Sequence, residues 1–254
     1  MPLLEAIKVT RYFGGLAAVD GVSFHCEEGE ILGIIGPNGA GKTTLFNLLS
    51  GFLRLSHGDI IYRGKSIKGL KPHKIARKGI VRTFQQSNVY RMETVLTNVL
   101  LASRLQDRVG FWGTIFNLPS YRKEEIEKER RAMEIIRAIG LDENKYTLAG
   151  NLSHGQQRCL GIAMALACNP KLLLLDEPVC GLGIEETAVI MDRIREIRER
   201  GITVILVEHQ MRMVMNICDR IIVLNFGQKI AEGTPDEIKS NRKVIEAYLG
   251  EEKD

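Results

Sequence analysis

Ile31-Leu32-Gly33-Ile34-Ile35 runs directly into Gly36-Pro37-Asn38-Gly39-Ala40-Gly41-Lys42-Thr43-Thr44, and then into a segment carrying Leu45, Leu48, Leu49 and Phe52. The first five residues are an unbroken apolar run of strand length, the pattern of a strand buried on both faces. From Thr43 to Leu53 the apolar residues fall at helical intervals. Between the two, the chain satisfies G-x-x-x-x-G-K-[ST] in full, in the strand–loop–helix setting that gives that pattern its meaning. Glycines let backbone N–H groups curl inward around an anion, and the following helix brings the positive end of its dipole to the same point. Lys42 adds a charge suited to β- and γ-phosphates, and Thr43 offers a hydroxyl to Mg²⁺. These residues predict a phosphate cradle from Gly36 through Thr44 in an α/β domain.

A phosphate site also needs an acid for the metal, and Leu172-Leu173-Leu174-Leu175-Asp176-Glu177 provides one. Four leucines fit a central strand, which places Asp176 at its C-terminal end, where ligands of open α/β sheets collect. Asp176 is then the metal-side carboxylate, and Glu177 the better candidate for polarising an attacking water. Ile202 to Val207 reads as a further buried strand, each strand following a helical stretch, as in a mostly parallel sheet with crossover helices. Alternation around Leu4, Ile7 and Val9, then Val19, Val22 and Phe24, predicts a small N-terminal antiparallel sheet. Glu93 to Arg104 and Arg122 to Ile139 have helical spacing, the second with a stripe of Ile126, Met133, Ile136 and Ile139. Its charge run, Arg122 to Arg131, is either a docking surface or a solvated helix face laced by i,i+4 pairs. Thr234-Pro235-Asp236-Glu237 is a helix start with a capping box.

Composition sets the limits. The 254 residues are 44% hydrophobic and 26% charged, with a formal net charge of +4. That excludes wholesale disorder and lacks the concentrated basic character of a nucleic-acid binder. The longest uncharged run, Val109 to Tyr121, has 13 residues, short of the roughly 20 a spanning helix needs. Met1 to Thr10 carries Glu5 and no apolar h-region, so no secretory signal is expected. Five cysteines without a C-x-x-C pair speak for reduced thiols and against a zinc site.

Leu152-Ser153-His154-Gly155-Gln156, 23 residues before Asp176, resembles the L-S-G-G-Q signature of ATP-binding-cassette ATPases. Together with the phosphate loop and the L-L-L-L-D-E strand, the resemblance covers essentially the whole chain. It implies a single nucleotide-binding domain over 1–254. The core lobe spans about 1–86 and 164–254, and an inserted helical lobe about 87–163. By the same resemblance, Gln85 in Arg82-Thr83-Phe84-Gln85 looks like the glutamine that reaches metal and water, with Gln86 the alternative. His209 resembles the switch histidine at the γ-phosphate. Phe13 matches the aromatic that stacks on adenine, with Tyr12 the alternative. Catalytic roles then fall to Glu177, His209, Gln85 and Lys42, and metal contacts to Thr43, Gln85 and Asp176. Two cassettes of this family close head to tail, so Ser153, Gly155 and Gln156 would serve the partner's nucleotide. Two positions depart from the pattern: His154 replaces a glycine, and Gly183 stands where Asp or Asn is usual.

A single cassette without a spanning segment resembles a separate transporter subunit, with its permease on other chains. Arg82-Thr83-Phe84-Gln85, the segment around Phe111-Trp112-Gly113 and the ending Ala247-Tyr248-Leu249-Gly250 resemble the LivG-type ATPases of branched-chain amino-acid importers. The ATPase of the lipopolysaccharide exporter shares a similar ending, and a nucleotide-gated dimerising module with feeble hydrolysis is a further alternative. The resemblance implies ATP and Mg²⁺, and a cytoplasmic site on the inner face of the membrane through permease subunits. It also implies a second cassette, identical or LivF-type, and no nucleic-acid partner. The apolar residues of Val109 to Pro119 either pack on the permease or staple the helical lobe.

Overall fold

The structure, a computed structural model, describes residues 1–83, 89–104 and 119–249, the side chains of 119–123 and of 249 excepted. The chain divides into two units. The first comprises Met1–Arg82, Lys171–Pro178 and Ile194–Asp254, the second Thr83–Pro170 and Val179–Arg193.

The first unit holds two sheets. An antiparallel sheet has the order β2-β1-β4-β5, made of β1 (Leu4–Phe13), β2 (Leu16–Cys26), β4 (His57–Tyr62) and β5 (Lys65–Ser66). The other contains β3 (Ile31–Ile35), β6 (Ile80–Arg82), β7 (Leu172–Asp176), β8 (Thr203–Val207), β9 (Arg220–Asn225) and β10 (Gln228–Gly233). Its order is β10-β9-β3-β8-β7-β6. Its ladders are parallel except for β10 on β9. Every residue of β3, β7 and β8 is buried, which is why their sequences are unbroken apolar runs rather than alternating ones.

Helix α1 (Lys42–Leu49) fills the space between the sheets. Leu45, Phe46, Leu48 and Leu49 share one buried cluster with Leu4, Val9 and Val22 on one side and Leu32, Leu174 and Ile205 on the other. Burying each such side chain contributes roughly 1.5–3 kcal/mol, so the phosphate loop is mounted on a firmly packed helix. The spacing predicted this helix through Leu53, but it ends at Leu49. Gly51 adopts φ +74°, the left-handed conformation that closes helices, and Phe52 beyond it is half exposed. Helices α2 (Pro72–Arg77), α7 (Met211–Ile217), α8 (Pro235–Ser240) and α9 (Arg242–Leu249) also belong to this unit. The predicted Thr234–Glu237 capping box is present at the start of α8.

The second unit is helical among its described residues: α3 (Val95–Ser103), α4 (Pro119–Ala138), α5 (His154–Ala167) and the first part of α6 (Ile184–Glu199). Thr94 caps α3 by accepting from the Thr97 N–H at 3.1 Å. Ile126, expected in the apolar stripe of α4, is 68% exposed. Among the described side chains of α4, the buried ones are Ala132 and Ile136. In the described part of the charged run, Lys128 pairs with Glu124 at 3.1 Å and Arg131 with Glu127 at 3.0 Å.

Candidate functional site

The loop between β3 and α1 is pressed against neighbouring strands. A Cβ on Gly36 would run into the carbonyl oxygen of Leu224 on β9, and one on Gly41, at φ +97°, into that of Ala18 on β2. Only glycine fits at both points. Gly41 is also the N-cap of α1. No side chain caps that helix, and no acidic residue stands in its first turn. Its positive end is thus left to the loop. Lys42 is buried, and its Nζ donates to the carbonyls of Gly36 at 2.5 Å and Pro37 at 2.8 Å.

Two adjoining clefts meet at this loop. One, of about 300 Å³, is lined by Asn38, Gly39, Ala40, Gly41, Lys42, Thr43 and Thr44 with Leu16, Ala17, Ala18, Glu177, Phe226 and Gly227. The other, of about 370 Å³, is lined by Gly36, Pro37, Asn38, Glu177, His209 and Tyr248. Asn38 and Glu177 belong to both.

Asp176 ends β7, as expected, and is buried. Glu177 follows at φ +46°, a conformation uncommon for a residue with a Cβ and typical of functional turns. Its N–H donates to the Val207 carbonyl at 2.9 Å, tying the turn to β8. His209 lies just past β8, with Nδ1 3.9 Å from Glu177 Oε1 and 3.9 Å from Glu208 Oε2. Glu208 is fully buried and accepts the N–H of His209 at 3.0 Å, bracing the turn that presents the imidazole. Phe13 closes β1 opposite Leu16 in register, and Leu16 lines the first cleft. The Arg11 guanidinium lies 4.8 Å from the Phe13 ring centroid, whereas Tyr12 stands edge-on to His57 at 6.1 Å.

In the second unit, Ser153 is the N-cap of α5 and forms a capping box with Gln156. The Gln156 N–H donates to Ser153 Oγ at 3.2 Å, and the Ser153 N–H to Gln156 Oε1 at 3.0 Å. His154 is the first helical residue and is exposed. Gly155 is buried, and a Cβ there would lie 2.7 Å from Glu186 Oε1. The other oxygen of Glu186 accepts the Gly183 N–H at 3.2 Å. These residues are brought together within their own unit.

Residues 19–180 match the family model described as ABC transporter. The chain belongs to the ABC transporter family. Within it, residues 228–254 of the cassette match the model described as branched-chain amino acid ATP-binding cassette transporter. The cassette is 44% identical to BraF of Pseudomonas aeruginosa and to LivG of Salmonella typhimurium, over 98% of its length and 98% of theirs. Both are described as high-affinity branched-chain amino acid transport ATP-binding proteins. A crystal structure of the ADP conformation of MJ1267, an ATP-binding cassette of an ABC transporter, superposes with a TM-score of 0.86 at 35% identity. It covers 98% of this chain and 99% of that one.

Gln85 and Gln86, the Phe111-Trp112-Gly113 segment and Gly250 lie outside the described residues of the cassette. Sequence reasoning missed Arg82, which holds Asp176, as well as Glu208, Leu16, Phe226 and Tyr248. Arg82 carried a readable signal, a charged residue ending the short apolar run Ile80-Val81. Tyr248 carried none, because its place depends on how the C-terminal helix folds back.

Proposed function

We propose that this cassette binds Mg²⁺-ATP, hydrolyses it and powers a branched-chain amino-acid importer, working as a dimer with permease subunits on separate chains. The observation that carries the reading is the convergence of the glycine-bound loop, Glu177 and His209 on adjoining clefts. The C-terminal family match and the names of the relatives support the branched-chain assignment over a lipopolysaccharide exporter.

The loop suits phosphate on structural grounds: two glycine positions that admit no Cβ, an uncapped helix start and a buried ammonium. The Thr43 hydroxyl and the Asp176 carboxylate are hard oxygen donors of the kind Mg²⁺ takes, most of its shell being left to water and nucleotide. Gln85 joins them in this reading. When bound, the metal supplies charge neutralisation on the phosphates. Lys42 turns its ammonium from the loop carbonyls to the β- and γ-phosphates. Glu177 takes the proton of the attacking water as general base, and His209 holds the γ-phosphate in line. Phe13 stacks on the adenine. Ser153, Gly155 and Gln156 close over the nucleotide of the partner cassette, identical or LivF-type. The work is positioning and electrostatics throughout. The cassette sits at the inner face of the membrane through its permease and has no nucleic-acid partner.

Gel filtration of Glu177→Gln with and without ATP, beside turnover of the unaltered protein, tests the reading. An ATP-dependent shift to dimer with turnover abolished is the expected result. Unchanged turnover in the variant would remove the hydrolytic assignment. A variant that dimerises with ATP while the unaltered protein scarcely turns over would favour the nucleotide-gated module.

A further inference from the structure

Strand β6 closes on Arg82, whose side chain is 6% exposed against 8% for the Asp176 side chain it meets. Nη2 donates to Asp176 Oδ2 at 2.7 Å. Nη1 donates to Asn47 Oδ1 at 2.6 Å and to Ser50 Oγ at 3.1 Å, the first on α1 and the second its C-cap. The rings of Phe46 and Phe52 lie 5.6 and 5.9 Å from the guanidinium carbon. One side chain thus joins the end of β7 to the helix that follows the phosphate loop.

Burying such a pair costs several kcal/mol per ion in desolvation, and apolar side chains of similar volume often serve stability as well or better. Stability alone therefore does not account for a guanidinium here. Its fork does what a lysine's single ammonium does not: it reaches two elements at once in fixed geometry. The elements it joins carry two of the three groups assigned to the metal. Thr43 lies one turn before Asn47 on α1, and Asp176 ends β7. Arg82 also stands directly before the Thr83-Phe84-Gln85 segment in the sequence.

We propose that Arg82 is a positioning residue for Asp176, locking that carboxylate to α1 so that it and the Thr43 hydroxyl keep a fixed spacing for the metal of Mg²⁺-ATP. The inference rests on the nucleotide reading above and adds to it a residue that touches neither substrate nor metal. Arg82 is thus a positioning group whose effect is carried by the carboxylate. Groups of this kind typically change metal affinity 10–100-fold when removed.

The test uses the full chain and a fluorescent ATP analogue, MANT-ATP, with binding measured in EDTA and again across a Mg²⁺ titration. Arg82→Met keeps bulk against the two phenylalanines and removes the fork. It should bind MANT-ATP in EDTA within about twofold of the unaltered protein, while the Mg²⁺ concentration for half-maximal enhancement rises roughly 10-fold or more. Arg82→Lys should recover part of that shift. Asn47→Ala removes the shorter of the guanidinium's two bonds to α1 and its C-cap, leaving the bond to Ser50 and the ion pair. It should move the Mg²⁺ requirement in the same direction by less, and it carries the test if Arg82→Met does not fold. Ligand-free thermal unfolding reports the folding cost separately. An unchanged Mg²⁺ requirement in a folded Arg82→Met would overturn the proposal, since Arg82 would then serve only the core. A lowered requirement would overturn it too, Arg82 being then a mere competitor for the carboxylate. Failure of the unaltered protein to bind MANT-ATP at all would remove the nucleotide reading, and this inference with it.

Discussion

The phosphate loop of the first unit and the signature segment of the second place their polar groups by different means. Around the loop, Lys42 begins the helix packed between two sheets, Asp176 ends the buried strand β7 and Glu177 follows it, and His209 lies two residues past buried β8. Their positions are set by backbone, the Glu177 N–H donating to the Val207 carbonyl and the His209 N–H to the Glu208 carboxylate. In the signature segment, Ser153 and Gln156 stand at the start of one helix, and each already hydrogen-bonds the other's backbone N–H. There the Ser153 hydroxyl has two duties, capping α5 and, in the proposed dimer, meeting a partner's phosphate. At Glu177 the chemistry rests on a turn set by backbone, whereas at Ser153 one hydroxyl serves both the helix and, in the proposed dimer, the partner's nucleotide.

The sharpest way to break that contrast is Glu177→Gln, where the largest effect is expected. Turnover should fall about 10²–10⁴-fold, the usual contribution of a general base, with the melting temperature unchanged. A large loss of stability would show that Glu177 supports its turn as well as the chemistry. At Ser153 the two duties can be pulled apart. Ser153→Ala should lose both, costing roughly 1 kcal/mol in stability through the missing cap and weakening ATP-driven dimerisation. Ser153→Asp retains a good cap but sets a negative charge towards phosphate. Its unfolding midpoint should match the unaltered protein while ATP-dependent dimer disappears in gel filtration. A dimer that persists in Ser153→Asp would mean the hydroxyl only caps the helix.

Legibility in the sequence follows the same division. Strands buried on both faces leave runs such as Ile31–Ile35 and Leu172–Leu175, and a phosphate loop has few alternatives to its glycines, so the core of the site could be read directly. Arg220–Asn225 carries a comparable apolar run, Ile221 to Leu224, all buried. It went unread because no motif follows it to mark its end. The short strands β4, β5 and β6 owe their pairing to distant partners rather than to their own pattern. The Arg82 network was equally hidden: Arg82, Asn47 and Asp176 are far apart in the sequence, and only the sheet brings them together. The overlong reading of α1 has a local cause, since helical spacing continues to Phe52 while Gly51 has already turned the chain.

The smallest expected effect lies at the edge of the first unit's parallel sheet, where β10 pairs with β9 through an irregular register between Lys229 and Ala231. Glu232 there is paired with both Lys229 and Arg220, and Arg220 also donates to Glu30 at 2.8 Å. Burial by itself would raise the Glu232 carboxyl, but the hydrogen bond and charge of Lys229, together with Arg220, outweigh it and hold the group below its ordinary value. A depressed carboxylate contributes stability that is complete above the unfolded value, about 4.3, and is lost as pH falls through the folded value. Glu232→Gln should therefore be less stable than the unaltered protein at neutral pH, by on the order of 1 kcal/mol or less for a partly exposed cluster. The gap should close in denaturant titrations as pH is lowered from 5 towards 3, since the unaltered chain then gives up what the variant never had. Because β9 supplies the Leu224 carbonyl against which Gly36 is pressed, nucleotide binding by Glu232→Gln at pH 7 also measures how far the stiffness of the loop depends on this edge. Unchanged affinity would place that stiffness in β3, β8 and α1 alone. A weaker one would extend it to the hairpin.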